Sequence, residues 1–300
     1  MVRAAGGAGA RLREMLARPQ LLVMPGGYSP LMAKVAEKVG FEAFFMAGSQ
    51  TAAYLLALPN IGLITMREMV DSARRLVSGC GIPIIADADE GYGNALNVDR
   101  STREFAQAGV AGITIEDREN STDPQAHAGP RFPMQEALGK LQAAVAARDA
   151  CGSDMAIVAR CDVIDSEASG FEDAVSRCIV YAREAAVDAV FINAVATREQ
   201  IREACVRIPG PVIHNYMGPP PPPSLEEWQD LGAAAVIFPL LTTSAGLQAT
   251  WDLLHDFWER GVVAQTEAGQ RARESRWGLA SLNDLLDLRG GEYLHEDSGG

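Results

Sequence analysis

The chain is short of several things, and each shortage excludes something. Only four histidines (His127, His214, His255, His295) occur in 300 residues, with no H-x-x-x-H spacing, which argues against a zinc site. Five cysteines (Cys80, Cys151, Cys161, Cys178, Cys205) form no C-x-x-C pair. An odd count without a framework reads as reduced thiols, mostly buried. No apolar run reaches the roughly 18–20 residues that cross a bilayer, so no membrane partner is expected. Basic residues are outnumbered, 26 Lys+Arg against 39 Asp+Glu, for a formal net charge of −13. An acidic field of that size repels phosphate backbones and argues against nucleic acid as a partner. The opening residues lack the apolar core of a signal peptide, so a cytoplasmic location is the expectation. No internal repeat and no linker interrupts the chain.

What is present is an alternation. With 48% hydrophobic and 22% charged residues the composition is that of a globular protein. Short, nearly continuous apolar runs fall at Leu21–Pro25, Ala43–Ala47, Pro83–Asp87, Gly112–Glu116, Met155–Arg160, Ala189–Asn193, Pro211–Asn215 and Ala234–Pro239. Runs of that kind are parallel strands buried on both faces. Stretches of helical period lie between them, at Pro30–Lys38, Met66–Val77, Val98–Gln107, Met134–Arg148, Phe171–Ala185, Arg198–Val206 and Leu225–Leu231. The count predicts an α/β fold, a (β/α)8 TIM barrel over residues 1–265. An open doubly wound sheet is the alternative, weakened because no G-x-G-x-x-G follows the first strand. Residues 266–300 are expected to add a helical extension (Ser281–Leu288) and a polar tail.

Two segments break the rhythm. Arg118–Pro133 is a long polar stretch after the fourth strand, of the kind that forms active-site lids. Pro219–Pro223 is a run of five prolines, stiff and extended, that leads to Ser224 as a helix cap with Glu227 three residues on. A docking site for a proline-recognition module is the other reading of that run.

In such a barrel the chemistry sits at the C-terminal ends of the strands. The third strand ends in Asp87 and Asp89, two residues apart and so able to point to one side, with Glu90 beside them. The fourth ends in Glu116 and Asp117. Like charges this close repel unless a cation sits among them, and hard oxygen ligands suit Mg²⁺ or Mn²⁺. The alternative is a set of loop carboxylates paired with arginine. Arg160, closing an apolar strand, can hold a substrate carboxylate by a bidentate contact, or form a salt bridge to those acids. Gly48 and Ser49 can present backbone N–H groups to an oxyanion, or make a plain turn.

Together, Asp87-Ala88-Asp89-x-Gly91-Tyr92-Gly93-Asn94, Ile115-Glu116-Asp117 and Ile157-Val158-Ala159-Arg160 resemble the isocitrate lyase / phosphoenolpyruvate mutase superfamily. The resemblance extends from Leu12–Leu16 and Val23–Tyr28, through Ala47-Gly48-Ser49 and Gly139-Lys140, to Ile237-Phe238-Pro239. It implies a barrel, often a homo-tetramer that swaps its last helix, a homo-dimer being the other oligomer to expect. It also implies a Mg²⁺-bound 2-oxo acid or enolate, with Mn²⁺ as the alternative metal. By position Asp87 would be the direct metal ligand, and Asp89 and Glu116 would hold the metal directly or through water. Arg160 would grip the substrate carboxylate, with the Gly48 and Ser49 backbone binding its oxygens. Asn193 and Asn215, with His214, would read its distal end.

The departures matter as much. The lyases of this family carry Lys-Lys/Arg-Cys-Gly-His on the gating loop, whose Cys donates a proton. Here that loop has neither Lys nor Cys, and the Lys-x-Asn-Ser of the mutases survives only as Asn120-Ser121. Asn60 stands for a family Asp near the metal, Glu90 for a small residue or Thr, Asn193 for a Glu and Ala47 for a Ser or Thr. Glu90 is therefore expected to compensate for Asn60 or to replace the missing acid, and His127 is a second candidate proton donor. The implied activity is a metal-dependent carbon–carbon lyase or decarboxylase acting on a small 2-hydroxy or 2-oxo di- or tricarboxylate. Carbon–phosphorus chemistry, and a non-catalytic metabolite-binding barrel, are the alternatives.

Overall fold

The computed structural model describes residues 7–120, 129–163, 168–274 and 286. The chain divides into two compact units, residues 1–241 and 242–300. The first begins with α1 (Ala8–Ala17), β1 (Leu22–Gly27), α2 (Pro30–Val39) and β2 (Phe44–Met46). Two helices follow, α3 (Gly48–Leu56) and α4 (Met66–Gly79). Strand and helix then alternate through β3 (Ile84–Asp87), α5 (Ala95–Ala108), β4 (Gly112–Glu116), α6 (Met134–Ala150) and β5 (Ala156–Asp162). The circuit finishes with α7 (Ala168–Val180), β6 (Ala189–Val195), α8 (Arg198–Arg207), β7 (Val212–Tyr216), α9 (Leu225–Asp230) and β8 (Ala235–Phe238). All eight strands are parallel and pair in chain order, and β8 pairs with β1. The sheet is closed, as a TIM barrel requires and an open sheet does not allow.

Every strand is apolar on both faces because each face meets a different core. Phe45, Ile85, Val158, Phe191, Ile213 and Ile237 point into the barrel, where α1 adds Leu12, Met15 and Leu16. Their neighbours Phe44, Ile84, Ile157, Val190, Val212 and Val236 point outward under the helices. Leu12 reaches in beneath β4 because Gly112 has no side chain: a Cβ there would lie 2.9 Å from Leu12 Cδ2.

Caps set the helix starts. Thr65–Glu68, Asn94–Asn97, Thr197–Gln200 and Ser224–Glu227 each form a reciprocal capping box at α4, α5, α8 and α9. Such a cap contributes about 1 kcal/mol. Asn94 thereby starts α5 three residues ahead of the Val98 expected from periodicity, and the proline run ends at the Ser224 cap as expected. Helix α3 starts, as expected, where Gly48 and Ser49 offer their N–H groups, but its nine residues carry no side-chain cap and little apolar period to mark its length. The cysteines are thiols, but only Cys161 and Cys178 are buried; Cys80 and Cys205 are half-buried and Cys151 is exposed.

The second unit holds most of α10 (Leu241–Arg260), which the sequence reading did not separate out, and α11 (Val262–Glu274). On α10, Leu247, Trp251, Leu254 and Trp258 follow a 4-3-4 spacing and are exposed, Trp258 at 88%. Apart from Leu286, the expected helix Ser281–Leu288 lies outside the described residues. Among the described residues no helix is long and apolar enough to cross a membrane.

Candidate active site

Strand parity decides which side chains reach the mouth of the barrel. Asp87 follows the inward Ile85 by two residues, and Thr114 and Glu116 take the same parity on β4. On β5 the inward series is Val158, Arg160, Asp162; on β6 it is Phe191, Asn193; on β7, Ile213, Asn215. The ladder sets Glu116 beside Arg160 and Asp162 beside Asn193. His214 has the opposite parity. It is fully buried in the outer layer, its Nε2 3.3 Å from Cys205 Sγ and its ring 5.7 Å from that of Trp228. The expectation that His214 reads the substrate is therefore corrected: it faces away from the mouth.

Asp89 reaches the site by a different device from the one expected. It lies beyond the end of β3, in a turn closed by Gly91 N–H donating to Ala88 O at 2.8 Å. Its φ is +44°, and Tyr92 follows at +65°. Left-handed backbone at non-glycine residues costs on the order of 1–3 kcal/mol and tends to collect at functional sites. The turn is pinned by Glu116 N–H donating to Asp89 O at 2.8 Å and Asp89 N–H donating to Asp87 Oδ1 at 3.3 Å. A third such residue, Ala194 at +63°, sits in the register shift between Ile192 and Val195, where β6 bends beside Asn193.

Three carboxylates meet two guanidiniums, with Asp89 and Glu90 beside them. Arg160 spans Asp162 (Nε to Oδ1 2.8 Å, Nη2 to Oδ2 3.1 Å), Glu116 (3.2 Å) and Asp87 (3.4 Å). Arg118 Nη1 reaches Asp162 Oδ2 at 3.4 Å. Burial opposes the Arg160 charge, but Asp162, Glu116 and Asp87 outweigh it and raise its pKa. Burial likewise opposes the Asp162 charge, and Arg160 and Arg118 outweigh it, so that its carboxyl stays below the usual range. Asp89 is the reverse case: burial, then repulsion from Asp87, Glu116 and Glu90, push its carboxyl far up. Burial also pushes Glu116 up to about 8, against the pull of Arg160. Two buried carboxylate oxygens, Asp89 Oδ2 and Glu90 Oε2, have no hydrogen-bond partner.

The remaining expected residues fall around this cluster. Helix α3 begins at Gly48 with no side-chain cap, so its N-terminal dipole favours the acids. Gly48 N–H lies 3.4 Å from Asp87 Oδ2, which puts that donor on the protein's own carboxylate. A Cβ on Gly48 would stand 3.1 Å from Asp89 Oδ1 and 3.3 Å from Asp87 Oδ2, so only glycine leaves the acids room. Ser49 is next on the helix, its Oγ accepting from Gln50 Nε2 at 2.9 Å. Asn215 Nδ2 donates to Asn193 Oδ1 at 3.1 Å. Asn60 is exposed in the turn after α3. His127 lies outside the described residues. The ends of its loop pair with each other: Glu119 N–H donates to Pro130 O at 2.9 Å, and Gly129 N–H to Glu119 O at 3.0 Å.

Asp162 lies two residues beyond the apolar run that marks β5, and its parity with Arg160 is the signal that points to it. Lys140, part of the resemblance, is buried on α6 with its Nζ 3.8 Å from the centre of the Phe132 ring and no hydrogen-bond partner. Burial lowers its pKa, and Glu90 counters most strongly.

Hard oxygen donors, mutual repulsion and an orphaned Asp89 oxygen fit a divalent cation by donor chemistry. In the present arrangement Arg160 supplies the counter-charge. Among the described residues no three ligating side chains are drawn together in metal-binding geometry.

Comparison with known proteins identifies the family. The chain is 33% identical over 282 residues to 2,3-dimethylmalate lyase of Eubacterium barkeri, covering 93% of this chain and 94% of that one. It is 35% identical over 257 residues to 2-methylisocitrate lyase of Aeropyrum pernix, covering 85% and 81%. A solved structure of oxaloacetate acetylhydrolase in complex with the product oxalate superposes with a TM-score of 0.82 at 27% identity, covering 94% of each chain. Residues 12–256 match the family described as phosphoenolpyruvate phosphomutase. With a closed eight-stranded barrel and a match that spans most of its length, the chain belongs to the phosphoenolpyruvate phosphomutase family, alongside carbon–carbon lyases.

Proposed function

We propose that the protein is a Mg²⁺-dependent carbon–carbon lyase or decarboxylase of a small 2-oxo or 2-hydroxy di- or tricarboxylate. The observation that carries this reading is the mouth of the barrel, where Asp87, Asp89 and Glu116 gather around Arg160 and buried carboxylate oxygens lack partners. Asp87, Asp89 and Glu116 would hold the cation. When bound, it neutralises the negative charge that develops on the 2-oxo or enolate oxygen as the C–C bond breaks.

The chain's own groups do the rest. Nε and one Nη2 hydrogen of Arg160 are committed to Asp162 and Nη1 faces Asp87 Oδ2 at 3.4 Å, so its Nη1 edge is the one that passes to a substrate carboxylate once Asp87 turns to a cation. Once Asp87 turns to a cation, the Gly48 N–H at the start of α3 is released to the same carboxylate or oxo oxygen. Glu90 Oε2, buried with no protein partner, is the group assigned to take a proton from the 2-hydroxyl (or, for a 2-oxo acid, from water) and return it to the enolate carbon, in place of the family's loop cysteine. The Asn193–Asn215 amide pair meets the far end of the substrate and favours a polar, uncharged group there.

Proton NMR in D₂O tests this, with Mg²⁺ and a panel of oxaloacetate, 2-alkylmalates, 2-methylisocitrate and phosphonopyruvate. Cleavage of a carbon-only substrate is expected, with deuterium on the carbon released as the carbanion (in pyruvate from oxaloacetate, in acetate from a 2-alkylmalate, in succinate from 2-methylisocitrate), and its loss in Asp87→Ala. Turnover of phosphonopyruvate alone would replace this reading with C–P chemistry.

The apolar stripe Leu247, Trp251, Leu254 and Trp258 supports a homo-oligomer in which a second copy covers it. Light scattering should give a multiple of the 32.0 kDa chain, reduced by Trp251→Glu with Trp258→Glu.

A further inference from the structure

Asp162 lies at the centre of the polar contacts around the mouth, yet no step above uses it. It is 7% exposed, and both of its carboxylate oxygens are engaged. Oδ1 accepts from Arg160 Nε at 2.8 Å and Oδ2 from Arg160 Nη2 at 3.1 Å, a planar two-point clamp on the back edge of the guanidinium. Oδ2 also faces Arg118 Nη1 at 3.4 Å. The same Arg118 donates through Nε and Nη2 to Gly129 O, at 3.2 and 3.1 Å, where the polar loop rejoins the barrel. The Asp162 backbone oxygen accepts from Arg131, which is also paired with Asp173. On its other side Asp162 accepts a hydrogen bond from the Asn193 amide, its neighbour across the β5–β6 ladder, and Asn193 in turn accepts from Asn215.

One carboxylate thus joins three things: the orientation of Arg160, the amide pair, and the two arginines that tie down the loop ends. An arginine on its own keeps several rotatable bonds and can swing among the acids around it. Held along one edge, it presents a single direction to a ligand, and little ordering entropy remains to be lost on binding.

We infer that Asp162 is a positioning residue that locks Arg160 with its Nη1 edge on the Asp87 side of the mouth, where the substrate carboxylate would lie, and couples that lock, through Arg118, to the Gly129 end of the polar stretch. This rests on the reading of Arg160 as the carboxylate-binding group.

Oxalate with Mg²⁺ is the probe, titrated calorimetrically into the full-length protein. Outer partners that hold a binding group in place are worth about 10–100-fold in affinity. Asp162→Asn should weaken oxalate within that range while the thermal midpoint moves little, because the amide keeps the volume but turns an N–H toward one arginine. Asp162→Glu, which keeps the carboxylate, should recover part of the loss. Arg118→Ala should cost less alone and add nothing to Asp162→Asn, since both break one linkage. Oxalate affinity in Asp162→Asn within twofold of wild type would overturn the inference, and fully additive losses would overturn the coupling to Arg118. The parent reading fails separately: it falls if wild type binds no oxalate, or if Arg160→Ala binds it as wild type does.

Discussion

The two ends of the barrel treat buried charge in opposite ways. At the N-terminal end a single carboxylate, Asp188, lies between two guanidiniums. It accepts from Arg13 Nε at 2.7 Å, from Arg148 Nη1 at 2.7 Å and from the Ile157 N–H at 2.8 Å. Arg13 also donates to Met155 O at 3.1 Å, which ties α1 to the start of β5. Every charge there has a partner. At the C-terminal end Asp87, Glu116 and Asp162 share Arg160 and Arg118, while Asp89 and Glu90 stand beside them with buried oxygens that have no partner. Three non-glycine residues near that end, Asp89, Tyr92 and Ala194, hold a left-handed backbone. A matched network stabilises the barrel; a mismatched one is held in place by the rest of the fold, and under the function proposed above a cation and a substrate anion would complete it. In a TIM barrel that is the division between a stability face and a chemical face.

Exchanging the damage between the two ends is the sharpest way to break this comparison. Asp87→Ala should lower turnover by about 10³-fold or more, while removing one of the repelling acids leaves unfolding almost unchanged or slightly harder. Steady-state rates and denaturant midpoints read both sides, and a large loss of stability would refute the contrast. Asp188→Ala should do the opposite. It takes the shared carboxylate from two partly buried guanidiniums, leaving Arg13 with Met155 O and Arg148 with the exposed Asp149, and leaves the Ile157 N–H unpaired, at about 3 kcal/mol after allowing for the exposure of Arg13, with turnover per folded molecule intact. For a domain of this size that is roughly 6–12 °C in the melting midpoint.

Within the mouth, Glu90→Gln separates the acid role from mere charge balance. A roughly 10²-fold fall in turnover with Mg²⁺ affinity preserved fits a proton donor. Lower Mg²⁺ affinity with little change in saturated turnover would fit compensation for Asn60 instead.

The outer layer offers a third case, a buried group that neither end contains. Burial pulls the His214 pKa down to about 3, so the folded protein keeps the imidazole neutral. A folded pKa below the unfolded value of roughly 6.5 means this contribution is fully present above pH 6.5 and is lost as pH falls toward 3. The loss is at most about 1.4 kcal/mol for each pH unit below 6.5. His214→Leu should therefore flatten the fall in urea midpoint between pH 6.5 and pH 5, without touching the pH dependence of turnover. The smallest effect belongs to Gly48→Ala, whose new methyl presses on Asp87 and Asp89. Mg²⁺ affinity should drop about tenfold, with stability near wild type.

Eight strands were legible in the chain, because a strand buried on both faces must be apolar throughout and the loops between cannot be; their ends were less so, since β1, β5 and β6 each run two residues past the apolar run, to Gly27, Asp162 and Val195. Asp87, Asp89, Glu116 and Arg160 were legible because charges are costly next to such runs and need a reason to be there. The same continuity hid the rest. With no polar–apolar alternation, nothing in Val-Ile-His-Asn-Tyr says that Asn215 looks into the barrel and His214 away from it. Nor does Arg-Cys-Asp say that Asp162 doubles back on Arg160. Asp89 looked like a strand partner of Asp87, and only the turn with φ +44° explains how it arrives.

What the sequence determined by itself was local and additive: apolar runs of strand length, capping residues such as Ser224 with Glu227, and the types of charge available at each strand end. What only the tertiary structure decided was pairing. Closing the sheet sets the parity of each strand and the stagger between neighbours, and these place five acids around two arginines at one end while Asp188 meets its own two at the other. Coulombic energies depend on distances between residues up to 175 positions apart, as Arg13 and Asp188 are, and no local pattern carries a distance across that span.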